Sequence, residues 1–119
     1  MKTSFLCAAL LFYAPPHVFA TATPPPVDYE RMVTMGRAYC DTGKANKAHR
    51  PLGLAIAQEP NRPEAYVVQG FAYASENKLA ESVEAYETAR KLGSKERRLY
   101  EELATIYHVM KNYAKAIEV

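Results

Sequence analysis

Apolar and small residues between positions 64 and 92 recur at steps of three and four, which predicts two amphipathic helices at about 64–76 and 79–92. A short polar run, "SENK", separates the two helices, and similar breakers, "DTGKAN" and "MKN", occur before and after them. The recurring positions are Tyr66, Gln69, Gly70, Tyr73 and Ala74 in the first helix and Leu79, Ser82, Val83, Tyr86, Ala89 and Arg90 in the second. The pattern therefore predicts a series of helical hairpins.

The hairpin pattern recurs along the chain with a period of about 34 residues. Small residues stay small and bulky residues stay bulky across three windows. The aligned sets are Gly36, Gly70 and Ala104; Tyr39, Tyr73 and Tyr107; Ala48, Ser82 and Ala116; Leu52 and Tyr86; and Ala55 and Ala89. Because glycine inside a helix costs about 1 kcal/mol relative to alanine, the first set indicates positions where the two helices of a hairpin approach closely.

The order of these residues resembles the tetratricopeptide repeat, whose length is also about 34 residues. The shared features are an aromatic residue, a bulky residue followed by glycine, a tyrosine, and later a small residue and an aromatic. The middle unit matches best, and it departs at Gln69, Ser82 and Ser94, where the family usually has Leu, Ala and Pro. The resemblance implies an all-α solenoid of antiparallel helix pairs, with about two and a half repeats in a right-handed superhelical stack.

The segment 1–20 has the layout of a secretory signal. Lys2 precedes an apolar run from Phe5 to Tyr13, and small or modest side chains precede the predicted cleavage after Ala20. A bilayer span needs about 20 apolar residues, so we expect no membrane span after cleavage, with an uncleaved signal as the alternative. Cys7 lies inside the apolar run and lacks the setting of a lipid-attachment cysteine. The prediction is an exported protein, periplasmic or secreted.

The rest of the chain divides into a spacer and three repeat units. Residues 21–28 are predicted to form a Pro-rich extended spacer, followed by units at 29–62, 63–96 and 97–119, the last of them partial. Pro51 falls inside the second helix of the first unit, where an interior proline costs about 3 kcal/mol. We therefore expect either a kink or a shortened helix with Pro51 in its first turn.

Charge and cysteine content narrow the classes of partner. The chain has 15 Lys and Arg against 13 Asp and Glu, and it lacks the concentrated basic stripe of a nucleic-acid surface. Lys95, Arg97 and Arg98 are interleaved with glutamates, which indicates a solvated loop and helix start. Removal of the signal leaves Cys40 as the one thiol, which we expect to be buried and inert or else paired between chains.

The sequence contains no recognisable catalytic or metal-binding arrangement. His49 and His108 are far apart and have no metal-ligand spacing, and neither a hydrolase glycine elbow nor a phosphate-binding loop is present. Glu81, Glu84 and Glu87 lie on the predicted solvent face and are interpreted as surface charge. We predict a protein that is not an enzyme and needs neither a metal nor a cofactor.

A helical solenoid commonly binds partners on its concave side, which the first helix of each pair lines. Val67 and Phe71 are expected to form an exposed apolar step there, with a charged residue on each side, suited to a peptide or helix. The alternative is that Phe71 packs against a neighbouring helix. The complete set of predicted concave residues is Val33, Arg37, Val67, Phe71, Glu101, Thr105 and His108. Relatives that clamp a carboxylate hold paired Lys and Asn at such places, which speaks against that ligand.

The last segment, "NYAKAIEV", predicts part of an apolar helix with Tyr113, Ala116 and Ile117 on an open end. Because a solenoid end needs a polar cap, we expect that the array continues, or that a partner or a second copy covers this end. The leading hypothesis is a protein-interaction adaptor of the cell envelope, resembling assembly factors for pili, secretion systems or outer-membrane complexes. The alternative hypothesis is the repeat region of a larger enzyme or receptor.

Overall fold

Six α-helices follow one another in the part of the chain that the computed structural model describes, residues 28–111 and 113–119 without the side chains at 113, 114 and 116. The helices are α1 (Tyr29–Asp41), α2 (Ala45–Gln58), α3 (Glu64–Ser75), α4 (Leu79–Lys91), α5 (Arg97–Val109) and α6 (Tyr113–Glu118). The all-α helical-repeat prediction is confirmed, and α3 and α4 end within one residue of the predicted bounds. The predicted signal and the spacer up to residue 27 lie outside the described residues.

Each helix pair closes through a turn with the same backbone geometry. One residue in each turn has a positive φ, which glycine adopts without strain and asparagine tolerates. These residues are spaced one repeat apart, and they are Gly43 (φ 74°), Asn77 (φ 59°) and Lys111 (φ 59°). The amide of Lys44 donates to the carbonyl oxygen of Tyr39 at 2.8 Å, and the equivalent bond in the second hairpin measures 2.9 Å. The repeat period is therefore a period of backbone geometry as well as of sequence.

Gly36 and Gly70 lie where the two helices of a hairpin touch. A Cβ atom on Gly36 would lie 2.6 Å from Cδ2 of Leu52, and one on Gly70 would lie 2.2 Å from Cε1 of Tyr86. Leu52 and Tyr86 occupy the same position in successive units. The predicted close approach of the two helices at these glycines is confirmed. It occurs in both hairpins, against Leu52 in the first and against Tyr86 in the second.

Two departures from the family pattern are compensated by hydrogen bonds. The buried hydroxyl of Ser82, at the usual alanine position, donates to the carbonyl oxygen of Gly70 at 2.8 Å. The amide of Ser94, at the usual proline position, donates to the carbonyl oxygen of Ala89 at 3.0 Å. Proline has no N–H and could not make that bond. The carbonyl oxygen of Ser94 also accepts from the Tyr100 hydroxyl at 2.5 Å.

Two hydrophobic clusters join the hairpins, and α3 contributes to both of them. Val68 and Ala72 of α3 belong to the first cluster, with residues of α1 and α2. Val67 and Phe71 of α3 belong to the second cluster, with residues of α4 and α5. Since successive residues of one helix face different clusters, α3 connects the first hairpin to the third unit, and stability is shared between neighbouring units.

Pro51 lies in the middle of α2, which has 14 residues. The predicted alternative of a shortened helix with Pro51 in its first turn is therefore wrong. Because proline has no N–H, the carbonyl oxygen of Lys47 loses its usual amide partner four residues later, but Lys47 is exposed. Pro51 itself is buried, so its apolar packing offsets part of the cost of the interrupted hydrogen bonding.

Glu81 and Glu84 are exposed on the outer side of α4, as expected. The interpretation of Glu87 as surface charge is wrong, because Glu87 connects α4 to α5. Its carboxylate accepts from the Tyr107 hydroxyl at 2.7 Å, and the Arg90 guanidinium lies 2.9 Å away. Burial alone would raise the pKa of Glu87, but the hydrogen bonds from Tyr107 and Arg90 outweigh burial and lower its pKa below the ordinary 4.5.

We expect Glu87→Gln to reduce the loss of stability that accompanies a fall in pH from neutral to below the ordinary carboxyl pKa of 4.5. The folded-state pKa of Glu87 is depressed, so its stabilising effect is present above the unfolded-state pKa and is lost as the pH falls through the folded-state pKa. At neutral pH the variant should be less stable by about 1 kcal/mol. Urea denaturation across this pH range measures both effects. Glu84→Gln, on the outer side of α4, is the matched control, and identical pH profiles for Glu87→Gln and wild type would contradict the prediction.

Candidate protein-interaction surfaces

The structure buries the apolar part of the predicted concave groove. Val33, Val67 and Phe71 are only 7%, 1% and 5% exposed, respectively. The prediction of an exposed apolar step is therefore wrong, and the alternative that Phe71 packs against a neighbouring helix is confirmed. Val67 and Phe71 are buried because residues of α5, among them Leu99 and Leu103, cluster with the side of α3 that the repeat pattern left unassigned. Val33 is buried in the first cluster, with residues of α2 and α3.

The Phe71 ring is enclosed by one aromatic and two cationic side chains. The Tyr86 ring meets it in an edge-on arrangement, with centroids 5.6 Å apart. The guanidinium carbons of Arg98 and Arg37 lie 4.3 Å and 5.9 Å from the Phe71 centroid, which are cation–π distances. We call the side of the molecule that carries Arg37, Phe71 and Arg98 the inner face. The sequence pattern had placed Arg98 in a solvated cluster, and its contact with Phe71 was not foreseen.

Arg37 is held across the inner face by Glu96. The two terminal guanidinium nitrogens of Arg37 donate to the two carboxylate oxygens of Glu96 at 3.1 Å and 3.2 Å, a bidentate pair. The hydrogen bond to Glu96 raises the pKa of Arg37. Because Glu96 immediately precedes α5, the pair ties the first hairpin to the third unit.

The other predicted concave residues form an exposed row on α5. Glu101, Thr105 and His108 are spaced at four and three residues, and all three are exposed. Glu101 accepts from the side chain of Arg97 at 2.7 Å, and the Thr105 hydroxyl donates to the carbonyl oxygen of Glu101 at 2.8 Å. The inner face is consequently polar and charged where it is accessible. Whether these residues bind a partner stays a prediction.

A cavity of about 220 Å³ opens on the inner face beside Phe71. Its lining residues are Phe71, Ala74, Ser75, Tyr86, Arg98 and Glu102. The Tyr86 hydroxyl is buried and makes no hydrogen bond of normal geometry with the described residues, and the Ser82 side chain is near enough to lower its pKa against the larger effect of burial. Burial raises the pKa of Tyr86 well above its usual range, so the hydroxyl remains a hydrogen-bond donor at neutral pH. The cavity is thus lined by the buried Tyr86 side chain and by the cationic Arg98.

A second groove, of about 350 Å³, lies between α1 and α2 and is mainly apolar. We call it the outer groove, and its lining residues are Met32, Met35, Tyr39, Asn46, Lys47, Arg50, Pro51 and Leu54. At about 100° per residue, Arg37 lies roughly 140° around α1 from Met32. The outer groove therefore faces away from the inner face. Its charged rim was not identified from the sequence pattern.

The equivalent positions of the second hairpin form a smaller groove of about 190 Å³. Its lining residues are Tyr66, Gln69, Tyr73, Glu81, Glu84, Ala85 and Thr88. Glu81 stands where the first hairpin has Lys47, and Glu84 stands where it has Arg50. This reversal of charge appears when the sequence is aligned with itself at a shift of one repeat. It occurs at positions that do not belong to the repeated pattern of small and bulky residues.

Exposed apolar side chains also occur at the C-terminal end of the described chain. Ile117 is 87% exposed, and Val109 and Met110 are exposed as well. The side chains of Tyr113 and Ala116, the other two residues of the predicted open end, lie outside the described residues. Binding of a partner or a second copy at this end stays a prediction.

The described residues offer little for metal or thiol chemistry. Within residues 28–111 and 113–119, no group of three His, Cys, Asp or Glu side chains is placed to hold a metal ion. Cys40 is half-buried, with its sulfur 3.9 Å from the carbonyl oxygen of Val68. Burial raises the pKa of the Cys40 thiol, which disfavours the reactive thiolate. None of the described helices is long and apolar enough to span a bilayer.

Comparison with known proteins addresses the fold. No protein-family model matches the sequence, and no curated protein sequence matches it. Solved structures of MamA are similar to the chain. A crystal structure of MamA has 26% sequence identity and a TM-score of 0.70, and the match covers 79% of this chain and 55% of that one.

Two further MamA structures match over the same share of this chain. MamA 41-end from Desulfovibrio magneticus RS-1 has 21% identity and a TM-score of 0.70, over 79% of this chain and 53% of its own. The MamA RS-1 ArsTM double mutant has 21% identity and a TM-score of 0.71, over 79% and 53%. The chain thus spans about half the length of these structures. MamA has a tetratricopeptide-repeat fold, and the helical hairpins of this chain share that fold, as the repeat pattern predicted.

Proposed function

We propose that the chain is a non-enzymatic adaptor that binds a peptide or helix of another protein on its inner face. The tetratricopeptide-repeat fold supports an interaction role, and the observation that carries the proposal is the cavity beside Phe71. Fold alone does not determine function, so the proposal depends on the chemistry of that cavity. The exposed apolar end around Ile117 is a second surface on which an adaptor contacts a partner.

The cavity suits a hydrogen-bond acceptor on the partner. A buried hydroxyl without a partner carries a desolvation penalty of about 1–3 kcal/mol, and an acceptor that reaches the Tyr86 hydroxyl relieves it. A partner carbonyl or carboxylate oxygen placed there also lies close to the positive charge of Arg98. Glu102 opposes a full negative charge at the same place, so a main-chain carbonyl oxygen is the better ligand.

The proposed setting is the cell envelope. The pattern of Lys2, the apolar run and the cleavage site after Ala20 supports export, and an exported adaptor of this kind serves in the assembly of a pilus, a secretion system or an outer-membrane complex. Together with the inner-face cavity, this defines the function that we propose.

We expect Arg98→Ala to reduce recovery of the specific partner at least about fivefold when the full chain is used as bait for proteins of the exported compartment. Arg98 lines the cavity, whereas Arg31 is exposed on α1 and is not among the cavity lining residues. Arg31→Ala is therefore the matched control and should recover the partner as wild type does. Quantitative mass spectrometry of the captured proteins provides the measurement. Equal recovery of every protein by both variants would overturn the inner-face proposal.

A further inference from the structure

We propose that the outer groove binds a helix of a partner protein that is apolar along one stripe and acidic along its edges. This surface is separate from the inner face, and its partner helix is distinct from the ligand of the inner-face cavity. The contents of the groove, its rim and its counterpart in the second hairpin each support the proposal.

The floor of the outer groove matches the dimensions of a short helix. Met32, Met35 and Tyr39 lie at steps of three and four residues along α1, so they extend over about 10 Å, or two helical turns. Leu54 on the opposite wall is 45% exposed. Methionine side chains adapt readily to a partner surface. A helix with apolar side chains at i, i+3 or i+4, and i+7 fills such a groove.

The rim of the outer groove selects negative charge. Lys47 and Arg50 are exposed, and neither makes an ion pair with a described residue. Helix α2 contains no carboxylate that could neutralise them. By contrast, Arg37, Arg62 and Arg90 are each paired with a glutamate. The positive charge of the rim is therefore available to acidic side chains that flank the apolar stripe of a partner helix.

The second hairpin shows that the repeat fold does not require this surface. Its equivalent groove has about 190 Å³ in place of 350 Å³ and carries two glutamates on its rim. Gln69 and Thr88 stand there at the positions of Met35 and Leu54. The same helix–turn–helix arrangement is thus compatible with a polar, acidic groove. Of these two hairpins, only the first has an apolar floor and a cationic rim.

Other occupants fit the groove less well. The segment 1–27 contains Lys2 and no carboxylate side chain, so it does not complement the cationic rim. On a second copy, the acidic outer side of α4 carries Glu81 and Glu84 but has Thr88 where an apolar side chain is needed. An anionic bilayer would meet the charged rim first, and the apolar floor lies recessed between the two helices. A partner helix satisfies both the floor and the rim.

The test uses the full chain and a synthetic helix as the probe. The peptide is about four turns long, with leucine at positions i, i+3 and i+4 of each heptad and glutamate at the flanking positions. A control peptide carries lysine in place of every glutamate. Fluorescence anisotropy measures binding of each peptide at low and high salt. We expect the acidic peptide to bind, to bind more weakly as salt screens the rim charges, and to bind at least about tenfold more tightly than the lysine peptide.

The matched variant converts the outer groove into the groove of the second hairpin. It combines Met35→Gln, Lys47→Glu, Arg50→Glu and Leu54→Thr, which are the residues that the second hairpin carries at the equivalent positions. Because the repeat already accommodates them, the variant should fold, as circular dichroism and urea denaturation will show. We expect at least about a tenfold loss of affinity for the acidic peptide. Arg98→Ala, on the inner face, should bind the peptide as wild type does, which separates this proposal from the inner-face adaptor.

Several outcomes would overturn the proposal. They include no binding of the acidic peptide up to about 1 mM, equal affinities of wild type and the groove variant, and equal binding of the two peptides. Self-association that the groove variant abolishes would assign the groove to a second copy. A photo-crosslinking residue at position 54 that links to residues 1–27 would assign it to the N-terminal segment. Binding to phosphatidylglycerol vesicles that the variant abolishes, without peptide binding, would assign it to a membrane surface.

Discussion

Gly70→Ala is expected to destabilise the fold by about 2–3 kcal/mol, which reverses the usual effect of replacing glycine by alanine inside a helix. The added Cβ would lie 2.2 Å from Cε1 and 2.3 Å from Cδ1 of the Tyr86 ring. That ring is fully buried and packs against Phe71, so it cannot rotate away without disturbing the second hydrophobic cluster. Urea denaturation followed by circular dichroism gives the change in the free energy of unfolding.

Two other glycines provide the controls for Gly70→Ala. Gly53 is exposed inside α2, and a Cβ added to it would have no neighbouring atom within 4 Å, so Gly53→Ala should stabilise the protein by about 0.5–1 kcal/mol. Gly36→Ala should fall between the two, because its Cβ would meet the flexible side chain of Leu52 at 2.6 Å. Equal effects of Gly70→Ala and Gly53→Ala would contradict the close-approach explanation.

Contacts within a hairpin could be predicted from the sequence because they depend on side-chain size at repeated positions. Gly36 and Gly70 share a repeat position, and so do Leu52 and Tyr86. The same contact between a glycine and a bulky side chain is therefore encoded twice, and its recurrence distinguishes it from chance similarity. The turn residues follow the same rule, since Gly43 and Asn77 both accept a positive φ. Repetition thus converts a weak local signal into a prediction of helix bounds and paired faces.

Contacts between units could not be predicted in the same way. Phe71 has Arg37 and Thr105 as its equivalents, so no repeated pattern indicates which side of α3 meets α5. The cation–π contact between Arg98 and Phe71, at 4.3 Å, joins residues that are distant in sequence and depends on how one hairpin lies on the next. Pro51 is a further case, because its tolerance inside α2 depends on burial of its ring.

The repeat pattern likewise did not indicate which apolar residues are accessible on the two candidate surfaces. The sequence indicated an apolar inner groove at Val67 and Phe71, whereas the structure buries both residues. An accessible apolar surface lies instead between α1 and α2, where Met32, Met35 and Leu54 line the outer groove. The pattern of small and bulky residues identifies the side chains that pack inside a hairpin. The charge and polarity of the accessible surfaces depend on other positions, whose residues vary from one unit to the next.

Phe71→Ala is expected to lower the free energy of unfolding by about 3–5 kcal/mol, so a loss of binding in this variant would not show that Phe71 contacts a partner. The substitution removes a ring that is 5% exposed, leaves a cavity beside Tyr86 and removes the surface on which Arg98 rests. Urea denaturation provides the measurement, and Val109→Ala, at an exposed position, is the control and should change stability by less than about 0.5 kcal/mol.

The contribution of the Arg98 contact can be separated from that of burial by a double-mutant cycle with Phe71→Leu, which keeps an apolar side chain while removing the aromatic ring. A coupling free energy of about 0.5–1 kcal/mol between Arg98→Ala and Phe71→Leu is expected from the cation–π interaction. Additive effects would mean that Arg98 lies over the ring without stabilising it. A change of less than about 1 kcal/mol for Phe71→Ala would contradict the burial of this residue and would return it to the accessible inner face.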